Sequence, residues 1–296
     1  MSKRVLLDIS TGCPAKCKYC LHQVKRLVTP RIMQKDNFIA IVDTLKAEGF
    51  NFVYLYASGE PLLNKYWMYF ILYCASKRVV SNLATKLTVK IDFKQLREVL
   101  HLCAVERRRV ELLFTVDTLR QETQKKIAPG IKTDVVLENL DGMKEVNAQC
   151  SYVKMTAHTV VNRYNEDELG EIKNYFNTLG IKWAPRRMGY FIGRKIERED
   201  VEMMQDMLPK STRYPARFTV KDGKIVGKTG RCTDRLQPVI SPEGDVAICC
   251  RDMLYECTAG NILEAGSLNK ILQSDRYMAL VEKARKMELS ICQGCN

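Results

Sequence analysis

Gly12-Cys13-Pro14-Ala15-Lys16-Cys17-Lys18-Tyr19-Cys20 follows directly on the apolar run Arg4–Ile9. The run predicts a strand, and Gly12 and Pro14 predict a tight loop after it. Three thiols at i, i+4 and i+7 in such a loop can each bind one iron of a [4Fe–4S] cube and leave the fourth iron without a protein ligand. An electron-transfer cluster has all four irons closed, whereas an open iron invites a substrate or cofactor to chelate. A zinc site is the alternative, although structural zinc sites use paired C-x2-C knuckles and a closed tetrad.

Outward from this loop, short β-branched or aromatic runs alternate with amphipathic helical stretches, the pattern of repeated βα units around a parallel sheet. Six strands are predicted, at Arg4–Ile9, Phe52–Ala57, Val79–Ala84, Val110–Val116, Val153–Val160 and Ile181–Met188. Helices are predicted at Asn37–Glu48 behind an Asp36 cap, Lys65–Lys77, Phe93–Cys103, Asp134–Asn147 and Glu166–Leu179. Six βα units make an open, partial barrel, with ligands expected at the carboxyl ends of its strands. Residues 1–188 are read as this α/β barrel and 189–231 as a connector containing a helix near Glu197–Leu208 and a turn at Lys221-Asp222-Gly223-Lys224. Residues 232–296 are read as a small cysteine-bearing unit with strands Pro238–Ser241 and Val246–Cys249 and a helix from Leu268 to about Arg285.

The C-x3-C-x2-C triplet with Tyr19 before its last cysteine resembles the hallmark of the radical S-adenosylmethionine (SAM) superfamily, and the resemblance covers nearly the whole chain. Ser58-Gly59-Glu60-Pro61, after the second strand, is similar to that family's Gly-Gly-Glu-Pro motif, with Ser58 in place of the first glycine. The resemblance implies that Gly59, Glu60 and Pro61 hold the methionine amino group, and that Thr115, Asp117 and Asn162 make ribose and carboxylate contacts. Thr85-Lys86-Leu87 departs from the family's usual Thr-Asn-Gly ending of the third strand. The activity implied is reductive cleavage of SAM to a 5′-deoxyadenosyl radical that takes a hydrogen atom from substrate. A reductase such as flavodoxin or ferredoxin is the implied electron donor.

Cys232, Gly244 and Cys249, followed by Cys292-x2-Cys295, form a C-x11-G-x4-C…C-x2-C order. This resembles the Twitch module, a shortened kin of SPASM, in which four cysteines hold one auxiliary [4Fe–4S] cluster. The ligands implied are Cys232, Cys249, Cys292 and Cys295, with Cys250 and Cys257 left as possible substitutes. A zinc ribbon is the alternative for these four ligands. Two [4Fe–4S] clusters and SAM are therefore the expected cofactors, and oxidation of a substrate radical by the auxiliary cluster is the leading outcome. Carbon-skeleton rearrangement, bond formation, peptide or aminosugar modification and a cyclase of the molybdenum-cofactor type are the enzymatic alternatives. A non-catalytic iron–sulfur or zinc protein that binds nucleic acid is the alternative of another class.

Composition agrees with metal ligation. Of the 12 cysteines, nine fall within residues 13–20 and 232–295, and no export signal accompanies them, so a disulfide framework is not expected. Cys74, Cys103 and Cys150 read as buried small hydrophobes. No membrane-length apolar stretch is present, and a cytoplasmic protein is expected. A formal charge of +13 favours anions. Arg186 and Arg187 at the end of the sixth strand are candidate substrate residues, joined by Lys16, Lys18, Lys25 and Arg26 around the same mouth and by Arg194 and Lys195 beyond. Guanidinium forks suit phosphate oxygens, so the substrate is expected to be a nucleotide, a phosphorylated metabolite or a nucleic-acid base.

Overall fold

The computed structural model describes residues 4–20, 29–150, 152–189, 197–227 and 236–292. Cys232, Cys295, Lys25, Arg26, Arg194 and Lys195 lie outside them.

Six parallel strands form the barrel wall: β1 (Arg4–Leu7), β2 (Phe52–Tyr54), β3 (Val80–Thr85), β4 (Val110–Thr115), β5 (Val153–Val161) and β6 (Lys182–Arg187). They pair in chain order, each with the next. Period-2 alternation sends Val5 and Leu7 outward under the helices and turns Arg4 and Leu6 to the concave side. The helices that cover the outside are α1 (Lys35–Ala47), α2 (Trp67–Ser76), α3 (Phe93–Val105), α4 (Gln121–Ile127), α5 (Thr133–Gln149) and α6 (Leu169–Thr178). On α1, Phe38, Ile41, Val42 and Leu45 recur at helical spacing and are buried, and the Phe38 ring stacks on Phe70 of α2 at 3.9 Å. Gln34 rather than Asp36 is the N-cap of α1; Asp36 sits in the first turn, where its charge suits the helix dipole. Cys74 and Cys103 are fully buried between α2 and α3, while Cys150 is partly exposed.

The connector carries α7 (Arg198–Met207), with a capping box between Glu197 and Asp200, and a hairpin of β7 (Phe218–Lys221) and β8 (Lys224–Gly227) turning at Asp222-Gly223. Next come β9 (Val239–Ile240), β10 (Asp245–Ala247), β11 (Thr258–Asn261), α8 (Ile262–Ala265), α9 (Leu268–Leu272) and α10 (Asp275–Arg285). The single helix expected from Leu268 to Arg285 is two, because Ser274 leaves the helix and caps α10 by accepting from the Tyr277 amide at 3.2 Å. β9 pairs in parallel with β1, so the C-terminal strands continue the barrel sheet in the order β11-β10-β9-β1-β2-β3-β4-β5-β6. Among the described residues no helix is long and apolar enough to cross a membrane.

Candidate active site

The cysteine loop leaves β1 at its carboxyl end and is pinned by backbone bonds to two other elements. The Lys18 amide donates to the Ile127 carbonyl at 3.0 Å, and the Gly130 amide to the Ala15 carbonyl at 3.1 Å. A Cβ on Gly130 would lie 1.7 Å from the Pro14 carbonyl oxygen, so this close approach requires glycine. Gly59 is equally constrained: a Cβ there would meet the Ser10 and Gly12 carbonyl oxygens at 2.1 and 2.5 Å. The Glu60 amide donates to the Gly12 carbonyl at 2.8 Å, which ties the Gly59-Glu60-Pro61 turn to the cysteine loop.

Cys13, Cys17 and Cys20 open onto a cavity of about 380 Å³, shared with Gly59, Glu60 and Thr115. Burial pushes the Cys13 and Cys17 thiols up, so thiolates here require a compensating cation such as iron. Among the described residues no three Cys, His, Asp or Glu side chains converge closely enough to hold one metal ion. Glu60 is buried; its carboxylate accepts from Thr85 Oγ1 at 2.6 Å, the Lys86 amide at 2.9 Å and the Leu62 amide at 3.2 Å. Burial pushes the Glu60 carboxyl up, and these donors oppose it.

Lys86, the departure at the third strand, turns out to belong to the site. Its Nζ donates to Asp117 Oδ2 at 2.7 Å, and the Tyr19 hydroxyl donates to the same oxygen at 2.8 Å. Asp117 Oδ1 accepts from the Val160 amide at 3.0 Å. Burial works against the Lys86 ammonium, but the Asp117 carboxylate outweighs it, and its pKa ends above the ordinary lysine value. Asp117 thus acts on the cavity through Tyr19 and Lys86, while Thr115 borders it directly. Asn162 is buried in the turn after β5, where its amide donates to the Val160 carbonyl and accepts from the Tyr164 amide. It does not border the cavity.

The C-terminal unit reaches this cavity with Cys250 and Met253. Cys249, Cys257 and Cys292 lie apart from it, packed in one apolar nest with Ile248, Ala284 and Ile291. Cys257 is placed there by Asp252, whose carboxylate accepts from the Cys257 and Glu256 amides. The loop between Cys249 and Cys257 is anchored on the barrel: the Tyr255 hydroxyl donates to Asp8 Oδ2 at 2.7 Å, and the same oxygen accepts from the Ser58 amide at 3.2 Å and the Ser58 hydroxyl. Arg31 stacks over Tyr255 and pairs with Glu243 at 2.9 Å. Burial pushes the Asp8 carboxyl up to about 6.

Arg186 faces the concave side of the barrel, where its guanidinium lies 2.8 Å from His158 Nε2. Burial first, and then Arg186, lower the His158 pKa to about 4. Arg187, the next residue along β6, does not line that side, as strand alternation requires. Sequence reasoning missed Lys86, Gly130, Asp8 and Tyr255. Only Lys86 carried a signal, as the break in the third-strand pattern.

Comparison with known proteins agrees with this geometry. The Radical SAM superfamily matches residues 7–176, and the SPASM iron–sulfur cluster-binding domain matches residues 232–296. Among solved structures, BtrN in complex with AdoMet and 2-DOIA is similar over 100% of this chain and 93% of that chain, with 14% identity and a TM-score of 0.57. Native anSMEcpe with bound AdoMet is similar over 97% of this chain and 83% of that one, with 16% identity and a TM-score of 0.61. Streptococcus suis SuiB bound to S-adenosylmethionine is similar over 95% and 68%, with 14% identity and a TM-score of 0.65. At these identities the likeness is one of fold. No curated protein is similar in sequence to this chain. The open cysteine loop, the Gly-Glu-Pro turn beside it and the two family matches place the chain in the radical SAM superfamily, with a SPASM iron–sulfur cluster-binding domain over residues 232–296.

Proposed function

We propose that this radical SAM enzyme removes a hydrogen atom and then an electron from an anionic substrate, completing a two-electron oxidation. The observation that carries the reading is the shared cavity: Cys250 and Met253, on the loop that continues from Cys249, border the same space as Cys13, Cys17 and Cys20. When bound, the N-terminal cluster and SAM supply the hydrogen-abstracting 5′-deoxyadenosyl radical, and an auxiliary cluster on Cys232, Cys249, Cys292 and Cys295 supplies the acceptor for the second electron. Cys257, in the nest with Cys249 and Cys292, is the substitute ligand the packing favours.

The chain's own residues do the rest. Gly59 lets the turn pack directly against the cysteine loop, Glu60 offers its carboxylate to the SAM amino group, and Thr115 borders the sugar side. The Tyr19–Asp117–Lys86 triad holds the cysteine loop against the end of β4. In balance, the substrate carbon gives its hydrogen atom to the adenosyl carbon, an electron to the auxiliary acceptor and a proton to solvent or a base. Arg186 offers the substrate a cation on the concave side. A flavodoxin or ferredoxin is the electron donor this chemistry needs.

The test is anaerobic turnover with phosphorylated metabolites, nucleotides, aminosugars and peptides, each scored for 5′-deoxyadenosine and for product mass. A product two hydrogens lighter than an anionic substrate supports the reading. A product of unchanged mass would replace oxidation with rearrangement, and turnover of neutral substrates alone would remove the anion.

A further inference from the structure

The concave face of the barrel holds a second cavity of about 660 Å³ below the cluster cavity, and Tyr56 lines both. In a packed parallel barrel this space is filled by branched apolar side chains. Here Arg4, Arg109, Lys154, Lys182 and Arg186 line it, against a single carboxylate among the described residues, Glu111. Glu111 is already engaged, by Arg109 at 2.7 Å and by Asn82 Nδ2 at 2.8 Å. Four of the five cations stand at the amino-terminal ends of their strands, the floor of the barrel, and only Arg186 stands near the top. Converging like charges in a concave wall cost stability and focus a positive field, an arrangement that favours an anion between them.

One wall of the same cavity is aromatic. Phe52 and Tyr54 on β2 and Tyr56 just beyond it lie at alternate positions, edge to face, with ring centroids 4.9 and 5.6 Å apart. Residues 52 to 56 span roughly 13 Å at the rise of a strand, so this rail runs from the cationic floor to the cluster cavity. We propose that the floor formed by Arg4, Arg109, Lys154 and Lys182 is a phosphate site, and that the substrate is a nucleotide-sized phosphorylated molecule lying along the Phe52–Tyr56 rail. The inference rests on the reading above, that the reacting C–H bond lies in the cluster cavity. It adds the far end of the substrate: an acidic group one rail-length from the reacting carbon, at the opposite end of the barrel from Arg187 and the cysteine loop.

The experiment measures binding to cluster-loaded protein by calorimetry, with uridine 5′-monophosphate, uridine and inorganic phosphate as probes. The variants are Lys154→Met with Lys182→Met, and Lys283→Met on exposed α10 as a charge control; iron content reports that each barrel is intact. Uridine 5′-monophosphate should bind more tightly than uridine, compete with inorganic phosphate, and weaken by about tenfold or more in the double variant but not in the control. Equal binding of the nucleotide and the nucleoside, or an unchanged affinity in the double variant, overturns the floor. Oxidation of an uncharged substrate by a protein that fails this assay would overturn the floor and leave the radical oxidation standing. Lysine-dependent nucleotide binding in a protein that never forms 5′-deoxyadenosine would leave the floor and overturn the oxidation.

Discussion

Replacing Lys86 by Met keeps the length of the side chain and removes the ammonium that faces Asp117. The Asp117 side chain is 1% exposed and that of Lys86 15%, so the pair is buried and solvent cannot substitute for the lost charge. Breaking such a pair from one side costs about 3–5 kcal/mol. Asp117 keeps the Tyr19 hydroxyl and the Val160 amide as donors, which places the cost at the lower end, about 3 kcal/mol. Adding Asp117→Asn removes the stranded charge and should recover about half of that loss, so the double variant should be more stable than Lys86→Met alone by on the order of 1.5 kcal/mol. Urea unfolding of the iron-free protein under reducing conditions measures all members of the cycle. A Lys86→Met midpoint within about 0.5 kcal/mol of wild type, or additive single and double variants, would refute the claim that this pair clamps the cysteine loop.

Two further outcomes are expected. Asp8 binds its proton more tightly in the folded state, since burial pushes its carboxyl up to about 6. The stability this contributes is complete below the unfolded carboxylate value and is lost as pH rises through 6. From pH about 4 to about 6 wild type should lose about 2 kcal/mol relative to Asp8→Asn, read from urea midpoints across that range; parallel profiles would show that Asp8 is not buried as described. Gly130→Ala places a Cβ against the Pro14 carbonyl oxygen, so the cysteine loop must shift and reconstitution should lose the N-terminal cluster while the fold survives. Retention of that cluster's iron and absorbance would show that the close approach does not matter.

The barrel was legible because its strands and helices carry the two hydrophobic periods cleanly, as in α1 with Phe38, Ile41, Val42 and Leu45. Short elements without a period were not: α4 has two buried residues among seven, and β11 reads Thr-Ala-Gly-Asn. The pairing of β9 with β1 was invisible for another reason, since it joins residues more than 200 positions apart through two pairs, Leu6 with Val239 and Leu7 with Ile240. At the site, the cysteines and the Gly-Glu-Pro turn could be read from local spacing. Lys86, Asp8 and Tyr255 could not, because their roles exist only where the ends of separate strands and the C-terminal loop meet.

The central claim is that two cysteine sets hold two clusters with different tasks. Its most direct test is iron content together with 5′-deoxyadenosine formation under dithionite, for wild type, Cys17→Ala and Cys249→Ala with Cys292→Ala. Wild type should carry about eight irons and form 5′-deoxyadenosine, and each variant should carry about four. Cleavage should vanish in Cys17→Ala and persist in the C-terminal double variant. Wild-type cleavage by Cys17→Ala, or full iron content in the C-terminal variant, would contradict the account.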